Sequence, residues 1–152
     1  MLVSYIVSIG VLIGAFFFGV LVSGSHPAWY TDIPSLVVIV VPSLALCAGD
    51  YGWRAIGTAF SASFGKKPLS VADLRATLPV VAALGRYVWY AAVLGVFIGT
   101  IAILGDLADM KRIGPNFAVA LICPLYALVI NFALISPMKH RIARRIETGE
   151  QC

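Results

Sequence analysis

The sequence has very little charge. Asp, Glu, Lys and Arg make up 12% of its 152 residues, about half the share found in an ordinary soluble domain. No charged residue occurs in residues 1–31, 33–49, 87–105 or 113–138, and 61% of the chain is apolar. This composition excludes a soluble globular domain and a disordered chain. The net charge of +4 is divided among the gaps between uncharged runs, which argues against a nucleic-acid-binding face.

The sequence also lacks the residue patterns of common enzyme sites. It contains no Ser/His/Asp constellation, no phosphate-binding glycine loop and no His/Cys spacing typical of a metal site. Two of the three cysteines, Cys47 and Cys123, fall within uncharged runs, and we interpret them as buried small apolar residues. The sequence therefore predicts that the protein is not an enzyme and uses no metal and no organic cofactor.

The uncharged runs predict four membrane spans, at about residues 3–22, 34–48, 87–104 and 114–137, because one spanning helix needs about 20 mostly apolar residues. The predicted fold is an all-α membrane domain covering residues 1–152, with a short segment 50–86 and a basic tail 139–152 outside the bilayer. We expect one interfacial or cytoplasmic helix over residues 55–65. A second helix, capped by Ser70 and Asp73, is expected to be interrupted near Pro79 before the third span.

The distribution of basic residues predicts the orientation of the chain. Segment 50–86 carries five Lys or Arg residues and the tail carries four, whereas residues 106–112 carry two and residues 23–32 carry none. Because Lys and Arg are enriched in cytoplasmic connections, the segment 50–86 and both termini are expected in the cytoplasm.

Small residues recur at helical spacing in two of the predicted spans. Gly10 and Gly14 lie four residues apart in the first span, and Ala91, Gly95 and Gly99 form a stripe in the third. Such stripes allow membrane helices to approach closely. The pattern leaves two alternatives open, packing within one subunit or an interface between subunits.

Several motifs occur in a fixed order in the second half of the chain. They are the glycine-rich third span around Gly95 and Gly99, an Ile-Gly-Pro opening at Ile113, the Leu-Tyr pair at Tyr126 and a proline at Pro137. With these motifs the chain resembles the MotA/TolQ/ExbB proton-channel family. It is most similar to the A subunit of flagellar stators (MotA-like), in a short form without the large cytoplasmic insert.

The resemblance implies an assembly and a function. It implies a homopentamer of four-span subunits in the bacterial inner membrane, arranged around two copies of a single-span MotB/ExbD-like partner. Each partner would carry a membrane Asp, and protons would be the coupling ion. This chain would then be the channel-forming subunit of a rotary motor driven by the proton-motive force.

The resemblance also implies which residues face the partner. We expect the proton path along Val96, Thr100, Pro124 and Phe132, with Pro137 at the cytoplasmic exit. Val96 occupies a position where sodium-using members carry threonine, which favours protons. For Thr100 the alternative is that its hydroxyl bonds its own backbone one turn earlier.

Two other interpretations of the whole chain remain open at the level of sequence. One is a non-conducting membrane scaffold that kept the family fold and lost the channel. The other is an unrelated four-span membrane protein.

Overall fold

The computed structural model describes residues 10–11, 14, 18–22, 24, 32–65, 69–105, 107 and 110–150, with the backbone alone at 112 and 150. Within these ranges the protein is built from helices and contains no strand. The helices are α1 (Ile33–Tyr51), α2 (Trp53–Phe64), α3 (Val71–Gly105), α4 (Met110–Ile130) and α5 (Ser136–Glu150). A π-helical turn, Asn131–Ile135, joins α4 to α5.

Three stretches of the described chain are long and apolar enough to cross a membrane: Ile33–Tyr51, Val71–Gly105 and Ile113–Gly149. The chain is therefore a multi-pass membrane protein. These three stretches correspond to the second, third and fourth expected spans, although each is longer than its uncharged run. The first expected span, residues 3–22, lies mostly outside the described residues.

Helix α1 is bounded by a capping residue at its start and by a glycine at its end. The Asp32 carboxylate accepts a hydrogen bond from the Ser35 backbone N–H at 3.0 Å, which caps the start of α1. Gly52 ends α1 with φ of 81°, a left-handed conformation that costs glycine little. The next helix begins at Trp53 and confirms the helix expected over residues 55–65, with bounds shifted by one or two residues.

The start of α3 confirms the predicted cap. The Ser70 hydroxyl accepts the Asp73 backbone N–H at 3.1 Å and donates to the Asp73 carboxylate at 2.7 Å. The expected interruption near Pro79 is wrong, because α3 is helical throughout Val71–Gly105. A proline inside a helix costs about 3 kcal/mol. Burial of neighbouring residues such as Val80 and Val81 against the rest of the core offsets this cost.

Helix α3 is the centre of the fold and is antiparallel to both α1 and α4. It packs against every other described helix. With 35 residues it is about 52 Å long, whereas the hydrocarbon core of a bilayer is about 30 Å thick. The excess belongs to a second region, which we call the stem: α2, residues 71–86 of α3, and α5, all in mutual contact.

The π-helical turn sets which face of α5 is buried. On α4 the buried residues include Ala120 and Ala127, seven residues apart, and a continuous α-helix would next bury residues 134 and 141. The residues buried are instead Ile135 and Ile142, so the wide turn absorbs one extra residue. Pro137 explains the turn, because proline lacks an N–H and its ring clashes with the carbonyl four residues earlier in a regular helix.

Candidate functional site

In the membrane region, α3 and α4 come into close contact at two glycines. A Cβ added to Gly99 would lie 2.7 Å from Cβ and 3.0 Å from both Cα and N of Ala120. A Cβ added to Gly95 would collide with the sulfur of Cys123 and would lie 2.9 Å from its Cβ. These distances are too short for any side chain, so both positions need glycine for the two helices to come this close.

This contact lies within one chain, which was one of the two alternatives for the stripe. Gly95 and Gly99 are buried and Ala91 is 3% exposed, all within a single subunit. Gly10 and Gly14 are exposed, and a Cβ at either would meet nothing within 4 Å among the described residues. A role for these five residues between subunits stays a prediction.

Two tyrosines show which sides of α3 and α4 face α1. The Tyr87 hydroxyl of α3 donates to the Asp50 carboxylate at the end of α1. The Tyr126 hydroxyl of α4 accepts the Asp32 backbone N–H at 2.8 Å, at the opposite end of α1. The sides of α3 and α4 that bear these tyrosines are therefore the sides nearest α1.

Three of the predicted path residues lie on the opposite sides of these helices. Val96 follows Tyr87 by nine residues, which places it about 180° around α3. Thr100 lies one turn further along. Pro124 precedes Tyr126 by two residues, about 160° around α4 when the shorter way is taken. We call the surface formed by Val96, Thr100 and Pro124 the α3–α4 groove.

The two remaining path residues have different environments. Phe132 lies in the π-helical turn and is 54% exposed. Pro137 is buried inside the chain and is not on an exposed surface at the end of the groove. Its role in the structure is to cause the π-helical turn that precedes it.

The groove itself offers little polar chemistry. The Thr100 hydroxyl donates to the Val96 carbonyl at 2.7 Å, so it bonds its own backbone one turn earlier, as in the alternative for this residue. Val96 and Pro124 are half-buried and apolar. None of the three residues that define the groove has a side chain that titrates.

Sequence reasoning missed one polar residue beside the groove. Asn131 is half-buried at the start of the π-helical turn, and its side-chain amide donates to the Ala127 carbonyl at 3.0 Å. Its Oδ1 lies 3.0 Å from where a Gly85 Cβ would be. The signal was present, because Asn116 and Asn131 are the two carboxamide side chains in the uncharged run 113–138.

The basic tail expected after the fourth span is helix α5, which packs against α2 and α3 within the stem. The Arg145 guanidinium donates to the Gly65 carbonyl at 2.7 Å, and Arg141 donates to the Ser63 carbonyl at 3.2 Å. Arg141 also lies 5.4 Å from the centre of the Phe64 ring. The two arginines thus bind the carbonyl end of α2, where the helix dipole favours positive charge.

The chain is similar in sequence to a known motility protein. The chain is 30% identical over 82 residues to the chemotaxis protein PomA of Vibrio alginolyticus, a stretch that makes up 53% of this chain and 32% of PomA. The chain thus spans about a third of the length of the curated relative it matches. No family model matches the chain. The similarity is consistent with a stator-like membrane protein and supports the MotA/TolQ/ExbB resemblance over part of the chain.

Proposed function

We propose that this protein is the channel-forming subunit of a rotary motor driven by the proton-motive force. The observation that carries the proposal is the α3–α4 hairpin, whose glycines allow tight packing and whose side away from α1 carries Val96, Thr100 and Pro124. The family resemblance is strongest over the same hairpin. In the proposed assembly, five copies with four spans each surround the partner helices, and residues 3–22 supply the first span.

The ion chemistry requires a partner. The groove contains no ionisable group, so the proton is carried on a membrane Asp of a single-span MotB/ExbD-like chain, two copies of which occupy the centre. When that Asp is protonated it tolerates the apolar groove, and when it is ionised it needs access to water. Moving one charge through 100 mV supplies about 2.3 kcal/mol, which is the energy available to drive one step against the wall.

The proposed orientation places the stem in the cytoplasm of a bacterium, with both termini on the same side. Segment 50–86 and the tail, which contain the stem, together carry nine Lys or Arg residues, and such enrichment marks cytoplasmic regions. Single cysteines at Ser70 and Glu147, both exposed, test this with an impermeant thiol reagent. Labelling from the periplasmic side of intact cells would contradict the orientation.

Proton flux into liposomes tests the function. The chain is reconstituted with the single-span chain that co-purifies with it, a pH-sensitive dye is enclosed, and a membrane potential is applied. We expect flux from the pair, none from this chain alone, and none when the membrane Asp of the partner is changed to Asn. Flux from this chain alone, or undiminished flux with Asn, would refute the mechanism.

The same assay distinguishes a second candidate, the non-conducting scaffold. The hydrogen bond from Thr100 to its own backbone favours this alternative, because it engages the hydroxyl of the groove. A scaffold would assemble with its partner and would give no flux under any applied potential.

A further inference from the structure

Asn131 lies at the stem end of the α3–α4 groove. Gly85 precedes Val96 by eleven residues, so the two residues lie on nearly the same side of α3, about 20° apart around the helix axis. Asn131 follows Pro124 by seven residues, so it lies on nearly the same side of α4, about 20° away around the helix axis. It is also about 10 Å further toward the stem. The Asn131–Gly85 contact therefore marks the stem-side end of the groove.

The local structure holds the Asn131 side chain in one orientation. Its Nδ2 donates to the Ala127 carbonyl one turn earlier, which fixes the amide plane and turns Oδ1 toward Gly85. A side chain at Gly85 would collide with this oxygen at 3.0 Å and with Ile135 at 3.2 Å. The π-helical turn that begins at Asn131 is a type of turn often found at functional sites.

The stem end of the groove also lies near the edge of the membrane. Tyr87, two residues from Gly85, bonds Asp50 at the end of α1, and Trp89 and Tyr90 are exposed nearby on α3. Tyrosine and tryptophan favour the interface between lipid and water. A polar acceptor at this depth can contact water that enters from the stem side.

We propose that Asn131 lines the stem-side exit of the ion path and that its amide oxygen binds the water or hydronium ion leaving the groove. This inference rests on the proposed function and adds an ion-binding residue to it. A carboxamide suits the role because it accepts hydrogen bonds from a hydronium ion without titrating itself. The proton is neither created nor consumed there; it passes on to bulk water.

Thiol labelling tests the position of this residue independently of conduction. In a full-length background with Cys47, Cys123 and Cys152 changed to Ala, Asn131→Cys is introduced and expressed in native membranes. Vesicles that expose the stem side are treated with a maleimide, which reacts with the thiolate that forms in water. Val129→Cys is the matched control, because Val129 is 38% exposed and lies only two residues away on another face of α4.

We expect labelling at Asn131→Cys at least tenfold faster than at Val129→Cys, because the first site faces water and the second faces lipid. Equal rates would mean that depth alone determines access, and would overturn the assignment. An unreactive Asn131→Cys in a chain that still assembles would overturn it as well. These outcomes do not depend on whether the protein conducts protons.

Proton flux then tests the role in conduction. In the reconstituted pair, Asn131→Leu should lower flux at least tenfold, and Asn131→Asp should make flux depend on pH in the range where a carboxyl titrates. Ser43→Ala is the control, since Ser43 is buried on α1 and its hydroxyl bonds the Ile39 carbonyl. If the wild-type pair conducts and Asn131→Leu conducts equally well, the role of Asn131 is refuted and the proposed function is not. If the wild-type pair gives no proton flux, the proposed function itself is refuted.

Discussion

Gly99→Ala is the substitution that tests the α3–α4 contact most directly. The added Cβ would lie 2.7 Å from Cβ of Ala120 and 3.0 Å from its backbone N and Cα. Carbon atoms in good contact are about 3.5–4.0 Å apart. The two helices must therefore separate by about 1 Å at this level. No rotamer change can relieve the collision, because two of the three opposing atoms belong to the backbone.

The expected cost follows from two opposing terms. An extra methylene forced into a well-packed interior costs about 1–3 kcal/mol. Alanine is favoured over glycine inside a helix by about 0.5–1 kcal/mol. The net loss of unfolding free energy should be about 1–2 kcal/mol, which lowers the ratio of folded to unfolded protein by a factor of about 5–30.

Equilibrium unfolding of the purified chain in mixed detergent micelles measures this loss. Gly114→Ala is the matched control, because Gly114 lies in α4 of the same hairpin and a Cβ there meets nothing within 4 Å among the described residues. This control should be neutral or stabilising, since it gains helix propensity without a collision. Gly99→Ala should therefore lower the free energy of unfolding, whereas Gly114→Ala should leave it unchanged or raise it.

The reasoning would be refuted if Gly99→Ala proved as stable as the wild type, or if both alanine variants shifted stability equally. The first result would mean that α3 and α4 do not approach as closely as the structure shows. The second would mean that helix propensity alone governs these positions.

Three further substitutions test other parts of the structure. Arg145→Ala should destabilise the stem by about 1–2 kcal/mol, because it removes a charged hydrogen bond at the carbonyl end of α2; Arg144→Ala, an exposed neighbour, should change stability by less than about 0.5 kcal/mol, and equal losses would contradict the capping role. Ser70→Ala should cost about 1 kcal/mol by removing the cap of α3, measured by the same unfolding experiment, and Ser70→Asp should restore most of it. Thr100→Val should leave proton flux of the reconstituted pair unchanged, because the hydroxyl bonds its own backbone; a tenfold loss would assign Thr100 to the path.

Much of the helical framework could be predicted from local sequence. Long uncharged runs located three helices that the structure describes, because the cost of placing charge in lipid acts on each segment separately. The Ser70–Asp73 cap was also readable, since a capping box involves residues only three positions apart. The interruption at Pro79 was predicted wrongly, because the contacts that keep α3 helical there come from residues distant in sequence, such as Cys47 of α1, whose sulfur lies 3.9 Å from the Val80 carbonyl oxygen.

The helix that packs against the glycine stripe within the subunit could be identified only from the tertiary structure. The spacing of Ala91, Gly95 and Gly99 predicts a close helix neighbour and does not identify which one. The structure shows that the neighbour of Gly95 and Gly99 is α4 of the same chain. For the same reason the positions of Val96 and Pro124 on one groove could be placed only once α1 was located on the other side.

The sequence by itself thus determined that the chain crosses the membrane several times and where most of its helices run, because hydropathy and capping are properties of short segments. Only the tertiary structure decided that α5 is turned by a π-helical turn, that Arg141 and Arg145 bind the end of α2, and that Asn131 meets Gly85. Each of these depends on the rotation of one helix relative to another. A single extra residue in the turn changes that rotation, and it cannot be recognised from the hydropathy of the uncharged run 113–138.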